Sequence, residues 1–295
     1  MSRQIKSYIY ALSAIILWST VATAFKFSLE QYDFIQVLFI SSATASFVLL
    51  LINIFQNNFK SINNNNKKEI VKSILSGILN PFIYYLVLFK AYDLLPAQMA
   101  QSLNYTWPIV LVIFTAIIYK YKLKLKTYLS LLFGFLGVII ISFKGNFNIP
   151  TDISTIGLIL AAGSSIIWAS FWIINSRIKL KNEMKLFISF FMGFLLISLA
   201  LFIFSELPKY ESKAFLSAIY SGLFEMSITF ILWNKALELT KRTENISNII
   251  FLSPFISLFF ISVFLNEAIL VSTYIGLSTI VLGIFIEKFK PISKN

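Results

Sequence analysis

Residues 185–205 read KLFISFFMGFLLISLALFIFS, with one charged residue at the start and none after it. A hydrocarbon core of about 30 Å is crossed by about 20 mostly apolar residues in an α-helix. Within lipid, every backbone polar group must find its partner in the same segment, so such a stretch forms a helix rather than a buried strand. The stretch therefore predicts a transmembrane helix.

Nine other stretches share this length and composition. The chain has 295 residues, of which 58% are hydrophobic and only 13% are charged, against about 25% in soluble proteins. The sequence therefore predicts an all-α integral membrane protein with ten transmembrane helices and a lipid bilayer as its surroundings. The predicted helices cover residues 7–27, 34–55, 70–91, 96–119, 126–143, 155–176, 185–205, 214–236, 245–265 and 269–288.

The positions of Lys and Arg predict the orientation. If the N-terminus is placed inside and the helices alternate, 20 of the 25 Lys and Arg residues fall inside. Positive charge concentrates in the cytoplasmic loops of membrane proteins. We therefore expect a multi-pass protein of the plasma membrane with both termini in the cytoplasm. The net charge of +12 belongs to this pattern and does not indicate nucleic-acid binding.

The two halves of the chain contain an internal repeat. Ser76–Asn80 and the following Lys90 correspond to Ser221–Glu225 and Lys235, each at an offset of 145 residues. This pattern predicts one unit over residues 1–146 and a second over residues 147–295. Each unit contains five of the ten predicted helices. Because five is an odd number, the second unit must enter the membrane from the opposite face. Inverted repeats of this kind are common in transporters that alternate access around a central site.

Glu225 lies near the middle of predicted helix 8. A carboxylate at that depth costs several kcal/mol unless it is protonated, paired or facing water, so it is a candidate functional group. It could bind a cationic group of a solute or exchange a proton during transport. The structural alternative is a neutral Glu that is hydrogen-bonded between helices. Its counterpart at the same depth is Asn80, which precedes the helix-disturbing Pro81.

Other polar and aromatic side chains also lie deep in predicted helices. Pro108 removes a backbone hydrogen bond from helix 4, which predicts a kink and a free carbonyl, and Pro254 repeats the feature in helix 9. Such breaks are tolerated in a membrane where they line a cavity. The tryptophans at this depth could form the wall of a solute cavity. The predicted solute-binding residues are Trp18, Asn80, Tyr84, Asn104, Trp107, Trp168, Glu225 and Asn248.

Small residues and charges at helix ends have structural interpretations. Glycines on one face of a transmembrane helix allow two backbones to approach closely. Opposite charges at a helix end act as solvated anchors more often than as gates. The close-approach positions are Gly134 and Gly137 of helix 5 and Gly276 and Gly283 of helix 10, and the suggested ion pairs are Lys26 with Glu30 and Lys90 with Asp93.

Several of these residues carry a resemblance to a known family. They are the stretches Leu17–Ser19, Asn104–Pro108 and Ile167–Ala169, together with Pro254. In these residues the chain resembles EamA-type carriers of the drug/metabolite transporter superfamily, and bacterial aromatic amino acid exporters in particular. The resemblance implies two inverted five-helix repeats, with helices 1, 3, 4, 6, 8 and 9 around a central cavity and helices 5 and 10 peripheral. It also implies the export of amino acids and related metabolites, or of organic cations. One departure is that Tyr121 and Lys122 stand where this family often has an acidic residue after helix 4.

The residue types favour a carrier over an enzyme. The chain has no His and no Cys, which removes imidazole bases, thiolates and most transition-metal ligands. It also has no phosphate-binding loop, so a solute or proton gradient would drive transport. We therefore expect a secondary transporter, either a monomer or a homodimer, with no catalytic residue, cofactor or metal. The alternatives are a carrier of organic cations, a carrier of phosphorylated metabolites, a membrane-embedded enzyme, and a scaffold or sensor.

Overall fold

The computed structural model describes residues 2–62, 66–120, 125–142, 153–240, 250 and 252–288. All regular elements in these ranges are helical, with a 3₁₀ turn at Asn58–Ser61 and a π-helical turn at Ile78–Ile83. The α-helices are α1 (Arg3–Leu29), α2 (Phe34–Phe55), α3 (Lys67–Gly77), α4 (Tyr84–Leu94), α5 (Ala97–Asn104), α6 (Trp107–Tyr119), α7 (Leu125–Ser142), α8 (Thr155–Ser176), α9 (Asn182–Phe204), α10 (Ser212–Phe224), α11 (Ile228–Leu239), α12 (Leu252–Leu265) and α13 (Val271–Lys288).

The length and apolarity of these helices confirm the prediction of an all-α membrane protein. Within the described ranges, three shorter apolar helices cover Tyr128–Ile141, Leu252–Leu265 and Val271–Ile286. In the part of the chain that the structure describes, seven helical stretches are long and apolar enough to cross a membrane: Arg3–Leu29, Phe34–Phe55, Lys67–Leu94, Ala97–Ile118, Thr155–Ser176, Asn182–Phe204 and Ser212–Leu239.

Capping side chains fix the start of several helices. Asp33 precedes α2 and accepts hydrogen bonds from the backbone N–H groups of Ile35 and Gln36, while the Gln36 side chain accepts from the Asp33 N–H. Ser154 accepts a hydrogen bond from the Gly157 N–H at 3.1 Å and starts α8. These contacts satisfy N–H groups that have no partner within the helix.

The predicted helix 3 is broken at Asn80. Its backbone has φ −145° and ψ 116°, which is an extended conformation, and Pro81 follows with no N–H to donate. The helix therefore continues as two pieces, α3 and α4, joined by the π-helical turn. The break is at Asn80, the residue that the sequence aligned with Glu225.

The predicted helix 8 is also broken, although it contains no proline. The Ser227 hydroxyl donates to the carbonyl oxygens of Gly222 at 2.8 Å and Leu223 at 2.9 Å, and the Thr229 hydroxyl donates to the Phe224 oxygen. These side chains replace backbone donors that a continuous helix would supply. The span predicted over 214–236 is therefore present as the apolar stretch Ser212–Leu239, but it consists of two helices, α10 and α11, that meet at Glu225.

The break in the predicted helix 4 precedes its proline. The piece α5 ends at Asn104, and α6 begins at Trp107, so Pro108 is the second residue of a new helix. Proline is favoured in the first turn of a helix because its missing N–H has no helical partner there. The predicted mid-helix kink at Pro108 is therefore a break two to three residues earlier, at Tyr105 and Thr106.

Two pairs of helices that occupy equivalent places in the two halves run antiparallel. In the pair α2 and α9, Asn53 near the end of α2 donates to the Glu183 oxygen at 2.9 Å, and Ser205 after α9 donates to Asp33 before α2. In the pair α7 and α13, a Cβ atom on the late Gly137 would meet the backbone of the early Gly276. The first helix of each pair therefore starts where the second ends.

Several contacts of the first half have a counterpart in the second half. The helix α1 packs on α10, α11 and α12, and its counterpart α8 packs on α4, α5 and α6. Ser41 of α2 donates to the Ala218 oxygen of α10 at 2.9 Å, and Ser189 of α9 donates to the Ser73 oxygen of α3 at 2.8 Å. Each of these two serines therefore bonds to a broken helix of the other half.

The ion pairs at the helix ends differ in part from those that the sequence suggested. Lys90 pairs with Asp93 at 2.6 Å, as predicted. Glu30, however, pairs with Lys213 at 2.8 Å rather than with Lys26. Lys213 lies in the first turn of α10, next to the end of α1. Glu30 therefore pairs with a lysine that is close in space rather than with the lysine that is close in sequence.

Glu267 joins the segment before α13 to the start of α5. Its carboxylate oxygens accept hydrogen bonds from the backbone N–H groups of Ala97 at 2.9 Å and Gln98 at 3.4 Å. The Gln98 side chain in turn accepts from the Thr273 hydroxyl at 2.8 Å. A carboxylate at a helix N-terminus satisfies free N–H groups and interacts favourably with the helix dipole.

We expect Glu267→Ala to lower the free energy of unfolding by about 1 kcal/mol, because two backbone donors of α5 lose their acceptor. The measurement is the thermal unfolding midpoint of the purified protein in detergent. Glu206→Ala is the control, since Glu206 is an exposed residue in the connection between α9 and α10. Equal midpoints for the two variants would contradict a capping role.

Candidate solute-binding site

Glu225 lies at the break between α10 and α11 and is 8% exposed. Its backbone N–H still bonds to the Ser221 oxygen at 2.9 Å, so it marks the end of the regular part of α10. The Tyr85 hydroxyl donates a hydrogen bond to its Oε1 atom at 3.0 Å. None of the ion pairs found among the described residues includes Glu225.

Tyr85 belongs to the other broken helix. It is the second residue of α4, directly after the π-helical turn, and its side chain is fully buried. The hydrogen bond between Tyr85 and Glu225 therefore joins the two broken helices at their breaks. It also joins the first half of the chain to the second.

A short chain of hydrogen bonds continues from the neighbouring tyrosine. The Tyr84 hydroxyl donates to Asn104 Oδ1 at 3.4 Å, and Asn104 Nδ2 donates to the Ser164 hydroxyl at 2.7 Å. The Ser164 hydroxyl in turn donates a hydrogen bond to the Ala161 carbonyl oxygen at 2.6 Å. The predicted residues Tyr84 and Asn104 are thus in contact, and they connect α4, the end of α5 and α8.

Aromatic rings form one side of this region. Trp168 lies 4.6 Å from the Tyr84 ring, measured between ring centroids, and 5.6 Å from the Phe230 ring. Trp18 lies 6.1 Å from Phe230 in an edge-on arrangement. The predicted residues Trp18 and Trp168, which come from α1 and α8, therefore both contact Phe230, near the start of α11.

Asn80 is fully buried, and within the described part of the chain neither atom of its amide has a hydrogen-bond partner. The repeat offset of 145 residues accounts for the unpaired amide of Asn80. At this offset Asn80 is equivalent to Glu225, and Tyr85 is equivalent to Phe230. The first half supplies a hydroxyl to Glu225, but the residue in the equivalent place in the second half is a phenylalanine, which has none.

The remaining predicted residues are placed less centrally. Trp107 is partly buried and packs on the apolar core. Asn248 lies outside the described residues. Ser253, which precedes Pro254, accepts or donates a hydrogen bond with the Ser19 hydroxyl at 3.2 Å, so the start of α12 contacts α1.

A separate polar pocket of about 360 Å³ lies at the end of the bundle where α9 begins. It is lined by side chains that include Asn58, Lys181, Glu183 and Lys235. None of the seven predicted residues that the structure describes lines it. Within the described ranges, no group of three or more His, Cys, Asp or Glu side chains could hold a metal ion.

The family comparison agrees with this two-part architecture. The model of the EamA-like transporter family matches residues 5–143 and residues 155–287, which is one match in each half. The chain belongs to the EamA-like transporter family. The proposed resemblance to EamA-type carriers is therefore confirmed.

Relatives of this EamA-like protein are themselves transporters of unknown substrate. An uncharacterized transporter in the sor 3′ region of Acidianus ambivalens is 26% identical over 176 residues, which cover 57% of this chain and 66%, just under two thirds, of that protein. The uncharacterized transporter YvbV of Bacillus subtilis is 25% identical over 226 residues, covering 74% of this chain and 71% of YvbV. A crystal structure with a TM-score of 0.68 and 19% identity covers 96% of both chains and supports the fold.

The structure adds two residues to the site of this EamA-like protein that the sequence did not indicate. Tyr85 and Phe230 were two of many aromatic residues in apolar segments, and nothing in their local sequence distinguishes them. The repeat offset was the available signal, because it aligns both residues five positions after the polar pair Asn80 and Glu225.

Proposed function

We propose that this EamA-like protein is a secondary transporter that exports amino acids or related small metabolites across the plasma membrane by alternating access. The observation that carries the proposal is the buried Glu225–Tyr85 contact at the breaks of two helices from different halves, 3.0 Å long and surrounded by aromatic rings. Broken helices near the midplane are where secondary transporters bind solute.

We further propose ten transmembrane helices in two inverted five-helix repeats, with both termini in the cytoplasm. The antiparallel pairs α2 with α9 and α7 with α13 support the inversion. Equivalent helices of two parallel repeats would run in the same direction, whereas a two-fold axis in the membrane plane reverses one of them. The twofold match of the family model supports the division into two units.

The chemistry of the site fits a solute with a cationic group and an apolar part. A buried carboxylate attracts an ammonium group, and the faces of Trp168 and Tyr84 attract cations and apolar surface. The free amide of Asn80 is a donor and an acceptor for a further polar group, such as the carboxylate of an amino acid. These features favour amphipathic zwitterions such as aromatic amino acids.

An organic cation is the second candidate solute. One observation favours it: no described lysine or arginine pairs with Glu225 or lies in the chain of hydrogen bonds around Tyr84. A cation without a carboxylate needs no positive partner in the site. The same observation argues against phosphorylated solutes.

The test is uptake by proteoliposomes that contain the purified protein. Radiolabelled L-phenylalanine, L-threonine, L-lysine and tetraphenylphosphonium are offered with and without a pH gradient, and protein-free vesicles serve as the control. We expect uptake of at least one amino acid above the control, and a response to the gradient if protons are exchanged. Uptake of tetraphenylphosphonium alone would support the second candidate, and uptake of none of the four would contradict the proposal.

A further inference from the structure

The Tyr85–Glu225 contact lies where a change in helix angle would break it. Tyr85 follows the break between α3 and α4, and Glu225 lies at the break between α10 and α11. A hydrogen bond tolerates little change in distance or angle. Bending at either break therefore separates the hydroxyl from the carboxylate.

The two pieces of the first broken helix pack on different partners. The piece α3 is held on α9, where Ser189 donates to the Ser73 oxygen at 2.8 Å and Gly77 allows the backbones to meet. The piece α4 packs mainly on α8. Near its middle, α4 also contacts α1, with the Phe25 ring 4.4 Å from Phe89, and it contacts α2 as well. The break therefore lies between a piece held on α9 and a piece held mainly on α8, so a change of angle at the break would move α4 relative to α3.

Among the described residues, the hydrogen bond between Tyr85 and Glu225 has no equivalent at Phe230 and Asn80, the corresponding positions of the repeat. The residue equivalent to Tyr85 in the second half is Phe230, and α11 is held by ring packing around it. Ring contacts are short-ranged but tolerate changes of angle better than a single hydrogen bond does. The two broken helices therefore differ in the kind of contact that holds them at these equivalent positions.

We propose that Tyr85 couples solute binding to the opening of the bundle, holding α4 against α1 through Glu225 until a cationic group of the solute displaces its hydroxyl. The ammonium group and the Tyr85 hydroxyl are donors for the same carboxylate oxygen, so binding of one weakens the other. Tyr85 is thus a positioning residue that acts through Glu225. This inference rests on the proposed function, because it requires a solute with a cationic group.

The absence of native cysteines allows a single reporter cysteine. Ser28 is fully buried in α1, one turn after Phe25, whose ring contacts Phe89 and Tyr92 of α4, and Ser28→Cys is nearly isosteric. The rate at which a membrane-impermeant maleimide labels this cysteine in proteoliposomes reports the separation of α1 and α4. The readout needs no solute, so it is independent of whether transport is observed.

Without solute, we expect Tyr85→Phe to raise the labelling rate about tenfold, because a hydrogen bond to a charged group contributes about that factor or more. Glu225→Ala should raise it by a similar factor, and the double variant should be no faster than either single one. Tyr220→Phe is the matched control: it removes the hydrogen bond of 2.7 Å between Tyr220 and Thr20, which also joins the two halves. Its labelling rate should equal that of the reporter protein.

Saturating L-phenylalanine or tetraphenylphosphonium should accelerate labelling of the reporter protein and leave the Tyr85→Phe variant unchanged. Three results would overturn the inference: slow labelling of Tyr85→Phe, equally fast labelling of Tyr220→Phe, or a reporter protein that responds to neither solute. Failure of the proposed function is a different result, namely no uptake by the unmodified protein.

Discussion

Replacing Glu225 with glutamine is expected to reduce solute uptake by about a hundredfold or more while the amount of folded protein stays the same. Glutamine has the same shape and still accepts the hydrogen bond from Tyr85, so packing at the break between α10 and α11 is retained. The charge is lost, and removing one partner from a buried charge pair costs about 3–5 kcal/mol. Initial rates of uptake in proteoliposomes measure the effect, with yield and thermal midpoint as checks on folding.

Glu30→Gln provides the matched control for Glu225→Gln. Glu30 pairs with Lys213 at 2.8 Å, but both side chains are about half exposed. Exposed ion pairs contribute between about 0 and 1 kcal/mol, so this variant should transport at nearly the normal rate. If Glu225→Gln transports as fast as Glu30→Gln, the carboxylate is a structural group and the central site must be sought elsewhere.

The helical segments could be predicted from the sequence because a bilayer restricts length and composition so strongly. An apolar run such as 185–205 has one physical solution, and the structure places α9 there. The breaks were harder to predict. Pro81 marked the first one, but the break at Glu225 depends on the hydroxyls of Ser227 and Thr229 replacing backbone donors. Serine and threonine also occur in unbroken helices, so their presence alone gives no signal.

The site could be predicted in part from depth and residue type. Glu225 was predicted because a charge is costly in lipid, and Trp18 and Trp168 because an indole N–H at that depth needs a partner. Tyr85 could not be found in this way, since its role depends on which helix faces Glu225. That information is tertiary, and a single sequence contains it only indirectly, through the repeat offset.

Gly137→Ala is expected to lower the thermal midpoint of the protein by about 5 °C. The helices α7 and α13 cross with their backbones in contact, and a Cβ atom at Gly137 would lie 2.5 Å from the Gly276 oxygen and 2.6 Å from Ile280 Cγ1. An added methyl group in a tightly packed contact costs about 1–3 kcal/mol, and each kcal/mol shifts the midpoint of a larger domain by about 2–4 °C. Differential scanning fluorimetry in detergent measures the shift.

Gly163→Ala is the matched control. It adds the same methyl group to α8, where we expect no loss of stability. Apart from its chain neighbours and the backbone of the adjacent turns of α8, no atom of the described residues lies within 4 Å of the Cβ position at Gly163. Alanine is favoured over glycine in a helix by about 1 kcal/mol, so this variant should be as stable as the unmodified protein or slightly more stable. A lower midpoint for both variants would mean that the effect comes from membrane insertion or detergent. A loss at Gly137 alone would show that the antiparallel crossing of two equivalent helices, on which the inverted repeat depends, is a close backbone contact.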